Sequence, residues 1–322
     1  MSLPHTHRNP RGKARARGFQ IEKPGFQHCR PCRSGGGHWA QAGLPQIQVA
    51  SFVNPRESTL RWRTRLSSSG AIPQQPGVRY TGLWLNEKGF ERAVAVPEVD
   101  LEGVLYFYTS DAFCRLNNGV SAQAQAQDQR RWVERYAARG VPVRKAYVLT
   151  AFGCNFEGAI PQERLKEVLA DMASLQDEHR IRLDEVYLAD TVGWANPRSV
   201  SERVELARRF FPHARIGLHL HDTRGTGMAN ALAGLQAGVD LFDASVAGLG
   251  GCPFSGHAHG GAAGNICTED LVFMCNEMGL ETGIDLECLI EAARLAERII
   301  GRRLDGRVMH SGSLKAFPTR SR

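Results

Sequence analysis

The sequence predicts an α/β protein, a (β/α)8 TIM barrel whose first βα units are incomplete. From about Gly77 onward, strand-like and helix-like segments alternate with a repeat of about 30 residues, the pattern of βαβ units around a parallel sheet. About seven or eight such units fit the roughly 250 residues that a barrel of this kind needs. Polar residues also fall where a barrel does its chemistry. Cys154 follows AYVLTAF, Asp190 ends VYLAD, His219 and His221 end IGLHLH, and Ser245 ends LFDAS, all at the strand C-terminal ends where barrel active sites are built. A doubly wound open sheet would place ligands at the same ends, but no G-x-G-x-x-G follows an early strand.

The elements follow in order. RYTGLWL is strand-like, EKGFERAVAV helix-like and LEGVLYFYTS strand-like, and QAQAQDQRRWVERYAARG reads as a helix stopped by Gly140. VRKAYVLTAF is a strand, PQERLKEVLADMASLQDE a helix opened by Pro161, LDEVYLAD a strand, and PRSVSERVELARRFF a helix opened by Pro197. The strand ARIGLHLH, the helix GMANALAGLQAG closed by Gly238, the strand VDLFDASVAG and a helix from Thr268 complete the series.

Composition narrows the class. A chain of 322 residues, 42% hydrophobic and 23% charged, reads as globular, with no apolar run near the roughly 20 residues that span a bilayer. Eight cysteines are too sparse for a disulfide scaffold and imply reduced thiols and a cytoplasmic setting. The net charge of +7 is entirely N-terminal: residues 1–70 hold 12 Lys or Arg against Glu22 and Glu57. In MSLPHTHRNPRGKARARG, CRPCRSGGGHWAQAG and RESTLRWRTRLSSSG no helical or strand period is sustained. A nucleic-acid-binding arm, an Arg-rich targeting peptide and sequence foreign to the fold are the competing explanations. HCRPC, at His28 to Cys32, lacks the second pair that a zinc site needs. The chain therefore divides into a divergent basic region, 1–75, and a barrel domain, 76–322.

His219 and His221 lie two apart at a strand end and are followed by Asp222 and a glycine-rich turn. Alternate strand residues share a face, so the two imidazoles can hold one metal ion. They can equally be two polar residues bonded to their neighbours.

The run GLHLHDTRGTGMANALAGLQAGVDLFDASVAGLGGCPF, then GAAGNICTEDLVFM, resembles the 3-hydroxy-3-methylglutaryl-CoA lyases, within a wider group of divalent-metal lyases and aldolases on the same barrel. The similarity runs from about Pro76 to Leu314, and AFGCNFEG and LADTVGWANP also match. The resemblance implies retro-aldol cleavage of 3-hydroxy-3-methylglutaryl-CoA, or of a similar 3-hydroxy-3-alkylglutaryl-CoA, to acetyl-CoA and a 3-oxo acid. It implies a divalent metal, Mg²⁺ or Mn²⁺ with Zn²⁺ also accommodated, held by His219, His221, Asn265 and an acidic residue near the N-terminus. Cys252, in the glycine-rich GLGGCP loop, is implied as the acid that protonates the departing enolate. Asp190 would orient the substrate hydroxyl or a water on the metal, and Glu269 a ligand asparagine; each has a structural carboxylate as its alternative reading. The expected partner is a small-molecule acyl-CoA, with no nucleic acid and no membrane, and a homodimer is compatible. A related acyl-CoA/2-oxo acid condensing enzyme, a carboxyltransferase-like barrel and a non-catalytic degenerate lyase are the alternatives.

The departure lies at the N-terminus. The family pattern sets a strand, then arginine, an acidic residue and glycine, before a run like FQIE. Here ARARGFQIEK places Ala16 at the arginine and Arg17 at the acid. GFQIEK and IQVASFVNP keep the family's spacing while the text between them loses its periodicity, which predicts that residues 1–75 are translated partly out of frame.

Overall fold

The computed structural model describes residues 13–17, 41–52, 74–251 and 264–317. Eight parallel strands make the sheet: β1 (Lys13–Arg17), β2 (Gln46–Ser51), β3 (Arg79–Leu83), β4 (Gly103–Tyr108), β5 (Val143–Leu149), β6 (Glu185–Ala189), β7 (Arg215–His219) and β8 (Leu241–Ser245). Their order is β3-β2-β1-β8-β7-β6-β5-β4. The two ends of that order meet without a strand ladder. Asp100 N–H donates to the Tyr80 carbonyl (2.6 Å) and Tyr80 N–H to Asp100 Oδ2 (2.6 Å), while Gln129 Oε1 accepts from Tyr106 N–H (2.9 Å). Side chains thus satisfy backbone groups that an open edge would leave unpaired.

The first unit is more complete than the sequence suggests. β1 pairs with β8 over five residues and with β2 at Ala16 and Arg17, so the strand preceding Gly18 is present. The stretches that follow β1 and β2, 18–40 and 53–73, carry the out-of-frame reading and lie outside the described residues.

The helices are α1 (Glu87–Val94), α2 (Asp111–Asn118), α3 (Ala122–Ala138), α4 (Gln162–Glu178), α5 (Pro197–Phe210), α6 (Gly227–Gln236), α7 (Thr268–Glu277), α8 (Leu286–Ile300) and α9 (Val308–Ser311). Their starts follow from local chemistry. Ser110 and Ser121 accept from the N–H groups of Phe113 and Ala124, and Asn196 forms a capping box with Ser199 ahead of Pro197. α2, α8 and α9 were not among the elements read from the sequence. α8 has Asp285 as its cap and Gly301 at its left-handed end, and it packs Leu289, Ile290 and Ala293 into a second core beside Leu44, Ile47 and Tyr80.

Inside the sheet, Tyr106, Tyr147 and Tyr187 occupy one register row that continues through Gly217 to Leu241. Tyr147 and Tyr187 stack at 4.5 Å between centroids. A Cβ on Gly217 would come within 2.6 Å of the Tyr187 ring, so glycine there makes room for the stack. Gly217→Ala is expected to destabilise the fold by about 1–3 kcal/mol, read as a lower denaturant midpoint with an unchanged slope. Below this row, at the N-terminal end, buried Lys145 pairs with Glu102 (2.6 Å) and Glu185 (3.5 Å). That leaves the opposite, C-terminal end for chemistry.

Candidate active site

His219 is the last residue of β7, and His221 lies just beyond the strand. The chain there is pinned by the segment 264–267. Ile266 N–H donates to the Leu220 carbonyl (3.1 Å), Ser245 N–H to the Ile266 carbonyl (3.1 Å), and Asp222 N–H to the Gly264 carbonyl (2.6 Å). Asn265 is thereby bridged to His221. Its Nδ2 donates to the Leu249 carbonyl (2.9 Å), while its buried Oδ1 has no hydrogen-bond partner among the described residues. The two imidazoles are buried, and their Nε2 atoms face each other at 3.1 Å.

These donors suit a divalent cation. Two ligands about 2.1 Å from one octahedral ion and at right angles to each other lie about 3 Å apart, and an unsatisfied buried amide oxygen is costly unless something polar occupies its front. Of the expected ligands, His219 and His221 thus face each other, and the backbone bridge sets Asn265 next to His221. Among the described residues no three His, Cys, Asp or Glu side chains are placed to hold one metal ion, and the donor set of two imidazoles and an amide oxygen is neutral. Position 17, where the resemblance expects that carboxylate, ends β1 opposite Ser245.

Asp190 follows β6, and its N–H donates to the His219 carbonyl (2.8 Å). Its Oδ1 accepts from Trp194 N–H (2.6 Å), and its buried Oδ2 has no hydrogen-bond partner among the described residues. Burial raises its carboxyl to about 6, opposed by hydrogen bonds from the Trp194 and Ala195 backbone. Trp194 is itself held by Nε1–H donation to Asn155 Oδ1 (2.7 Å), and Arg224 ties the same loops through the Val192 and Gly193 carbonyls (2.7 and 2.9 Å). None of Asn155, Trp194 and Arg224 was singled out from the sequence. Cys154 is buried beside Ser110, with Oγ to Sγ at 3.1 Å. Cys252 lies outside the described residues.

Glu269 does something other than hold the asparagine. Its Oε2 accepts from Ala247 N–H (3.0 Å), fixing a residue at φ +55°, a strained conformation for a side chain with a Cβ. Full burial raises its carboxyl to about 8, against that Ala247 bond. The unfolded chain releases this proton near the ordinary glutamate value, and the folded chain keeps it until about pH 8. Stability is therefore full below the ordinary value and falls as pH rises toward 8, by at most about 1.4 kcal/mol per pH unit. Glu269→Gln is expected to flatten that slope in denaturation curves taken between about pH 5 and 8. An equally steep slope in the variant would show that other groups cause it.

Comparison with known proteins then decides the family. The HMGL-like family model matches residues 72–296, and the mitochondrial hydroxymethylglutaryl-CoA lyase of Gallus gallus is 35% identical over 275 residues, covering 84% of this chain and 86% of that protein. The chain belongs to the HMGL-like family. Among solved structures, an HMG-CoA lyase from Acinetobacter baumannii in complex with coenzyme A and 3-methylmalate superposes with a TM-score of 0.79 at 30% identity, covering 96% of this chain and 98% of that one. The carboxyl transferase domain of Rhizobium etli pyruvate carboxylase, at 14% identity and a TM-score of 0.57 over 90% of this chain and 47% of that one, shares the fold alone. The barrel read from the sequence is thus the fold of an HMGL-like chain. Among the described residues no helix is long and apolar enough to cross a membrane.

Proposed function

We propose that this chain is a divalent-metal-dependent carbon–carbon lyase. Its reaction is the cleavage of 3-hydroxy-3-methylglutaryl-CoA, or a similar 3-hydroxy-3-alkylglutaryl-CoA, to acetyl-CoA and a 3-oxo acid. The observation that carries this reading is the facing pair of His219 and His221 at the strand C-terminal end of an HMGL-like chain, with the unsatisfied Asn265 Oδ1 on the segment bridged to His221.

His219, His221 and Asn265 would hold Mg²⁺ or Mn²⁺, which when bound supplies Lewis acidity toward the hydroxyl and a neighbouring oxygen of the substrate. Asp190 presents Oδ2 as an acceptor for the substrate hydroxyl. A carboxyl near 6 is ionised for the most part at neutral pH, so it accepts rather than donates. Its orientation is fixed by Trp194 N–H. Cys252, in the glycine-rich GLGGCP run, protonates the enolate of the departing thioester. The acyl partner is a coenzyme A thioester; the Acinetobacter baumannii HMG-CoA lyase was solved in complex with coenzyme A and 3-methylmalate.

One observation favours a second reading, a degenerate lyase without turnover: Arg17 at the mouth end of β1, opposite Ser245. The test is incubation of the purified chain with 3-hydroxy-3-methylglutaryl-CoA and Mn²⁺, followed by mass spectrometry of the thioesters. Slow, chelator-sensitive formation of acetyl-CoA supports the lyase. Unchanged substrate at high enzyme concentration, with Mn²⁺ bound, supports the degenerate reading.

A further inference from the structure

Arg224 lies on the exposed loop between β7 and α6, yet its guanidinium is held by groups from two other loops. Nη1 donates to the carbonyls of Val192 (2.7 Å) and Gly193 (2.9 Å), both in the loop after β6. Nη2 donates to Asn155 Oδ1 (3.3 Å), beyond the end of β5, and the group lies over the Trp194 ring at 5.6 Å from its centroid. The same Asn155 oxygen accepts from Trp194 Nε1 (2.7 Å). One of these acceptors leads to the proposed chemistry. The Gly193 carbonyl and the Trp194 N–H are the two ends of a single peptide unit, and that N–H donates to Asp190 Oδ1 (2.6 Å). We infer that Arg224 is a positioning residue for Asp190, acting through the Gly193–Trp194 peptide, whose oxygen it holds and whose N–H holds the carboxylate.

A peptide unit is planar and trans, so its oxygen and its N–H point in opposite directions. A cation at the oxygen end and a carboxylate at the hydrogen end both align with the peptide dipole of about 3.5 D, and both bonds are charge-assisted. Each strengthens the other, as hydrogen bonds in series do where water is excluded. Gly193 is buried, which keeps water from the unit. The local backbone supplies the rest. Gly193 has φ +71°, and a Cβ there would come within 2.7 Å of Thr223 Cβ, so glycine is what lets this loop turn and lie against the one that carries Arg224. The Asp190 carbonyl accepts from Gly193 N–H (3.3 Å), which closes the turn and brings Trp194 N–H back to the carboxylate. With Oδ1 tied down in this way, Oδ2 is the oxygen left to meet a substrate.

This inference deepens the lyase reading, on which the task of Asp190 rests, and two readouts keep their failures apart. The first needs neither metal nor turnover. The chain is labelled with nitrogen-labelled tryptophan, and of the five tryptophans the backbone amide signal missing from Trp194→Phe is that of residue 194. A short bond to a carboxylate moves an amide proton downfield. In Asp190→Asn and in Arg224→Ala the Trp194 proton is expected to move upfield and to exchange with solvent about 10-fold faster, while the signals of Trp84 and Trp132 stay in place. Arg224→Lys, which keeps the charge on a single donor group, is expected to fall between Arg224→Ala and the unaltered chain, and it serves as the test should Arg224→Ala not fold. The second readout is turnover of 3-hydroxy-3-methylglutaryl-CoA at saturating Mn²⁺. Arg224→Ala is expected to lower kcat about 10-fold with KM and Mn²⁺ affinity unchanged, and Arg224→Lys to recover part of the loss. A Trp194 amide that moves in Asp190→Asn but stays in place in both Arg224 variants overturns the inference. The expected amide changes at an unchanged kcat support the inference and instead remove Asp190 from the reaction. In a chain without turnover the amide signals decide alone.

Discussion

Changing Arg17 to aspartate, with Ala16 to arginine in the same variant, is expected to raise kcat/KM by roughly 10³-fold, the equivalent of ~4 kcal/mol of transition-state stabilisation. The donors described at the mouth are neutral: two imidazoles and an amide oxygen. A dication held by neutral ligands alone lacks the charge compensation that a carboxylate provides, and an arginine in place of that carboxylate adds charge of the same sign as the metal. Position 17 is where the resemblance sets that carboxylate, and β1 ends there, paired with Ser245 of β8 and Gln48 of β2. Steady-state kinetics across a Mn²⁺ titration measure the effect on rate and on affinity together. A variant no more active than the unaltered chain, with equal Mn²⁺ affinity, removes position 17 from the site.

The second large effect separates the ligands from the acid. His219→Ala and His221→Ala are each expected to abolish Mn²⁺ binding and, with it, turnover, since each removes one of the three proposed ligands. Cys252→Ser, made in the Arg17→Asp background, is expected to lower kcat by roughly 10²- to 10⁴-fold, the usual weight of one acid–base group, with Mn²⁺ affinity unchanged. Equal metal loss in all three variants would show that Cys252 has been given the wrong role.

The parts of this site that the sequence disclosed are those that depend on short-range order. His219, His221 and Asp190 end their strands, and the 30-residue repeat puts those ends at one mouth whatever the details of packing. Asn265 was legible only through the resemblance. Taken alone it reads as a residue ahead of a helix, and its place beside His221 comes from a short pairing between residue 266 and two strands. Glu269 was open between orienting Asn265 and a structural role, and the structure favours the second, because helix α7 turns its carboxylate toward Ala247. α2 and α8 were overlooked among the repeats, although Ser110, Asp285 and Gly301 are ordinary start and stop signals. The Asn155, Trp194 and Arg224 contacts join three different loops, and no local pattern reveals such a meeting.

The central claim is retro-aldol cleavage supported by a metal at His219, His221 and Asn265, and product stoichiometry tests it most directly. The Arg17→Asp, Ala16→Arg variant is incubated with 3-hydroxy-3-methylglutaryl-CoA, and thioesters and free acids are counted by mass spectrometry with Mn²⁺, with chelator, and with Mn²⁺ restored. Acetyl-CoA and a 3-oxo acid in equal amounts, lost with the chelator and recovered with Mn²⁺, is the predicted result. Intact substrate with Mn²⁺ demonstrably bound, or consumption of acetyl-CoA with a 2-oxo acid in its place, would contradict it.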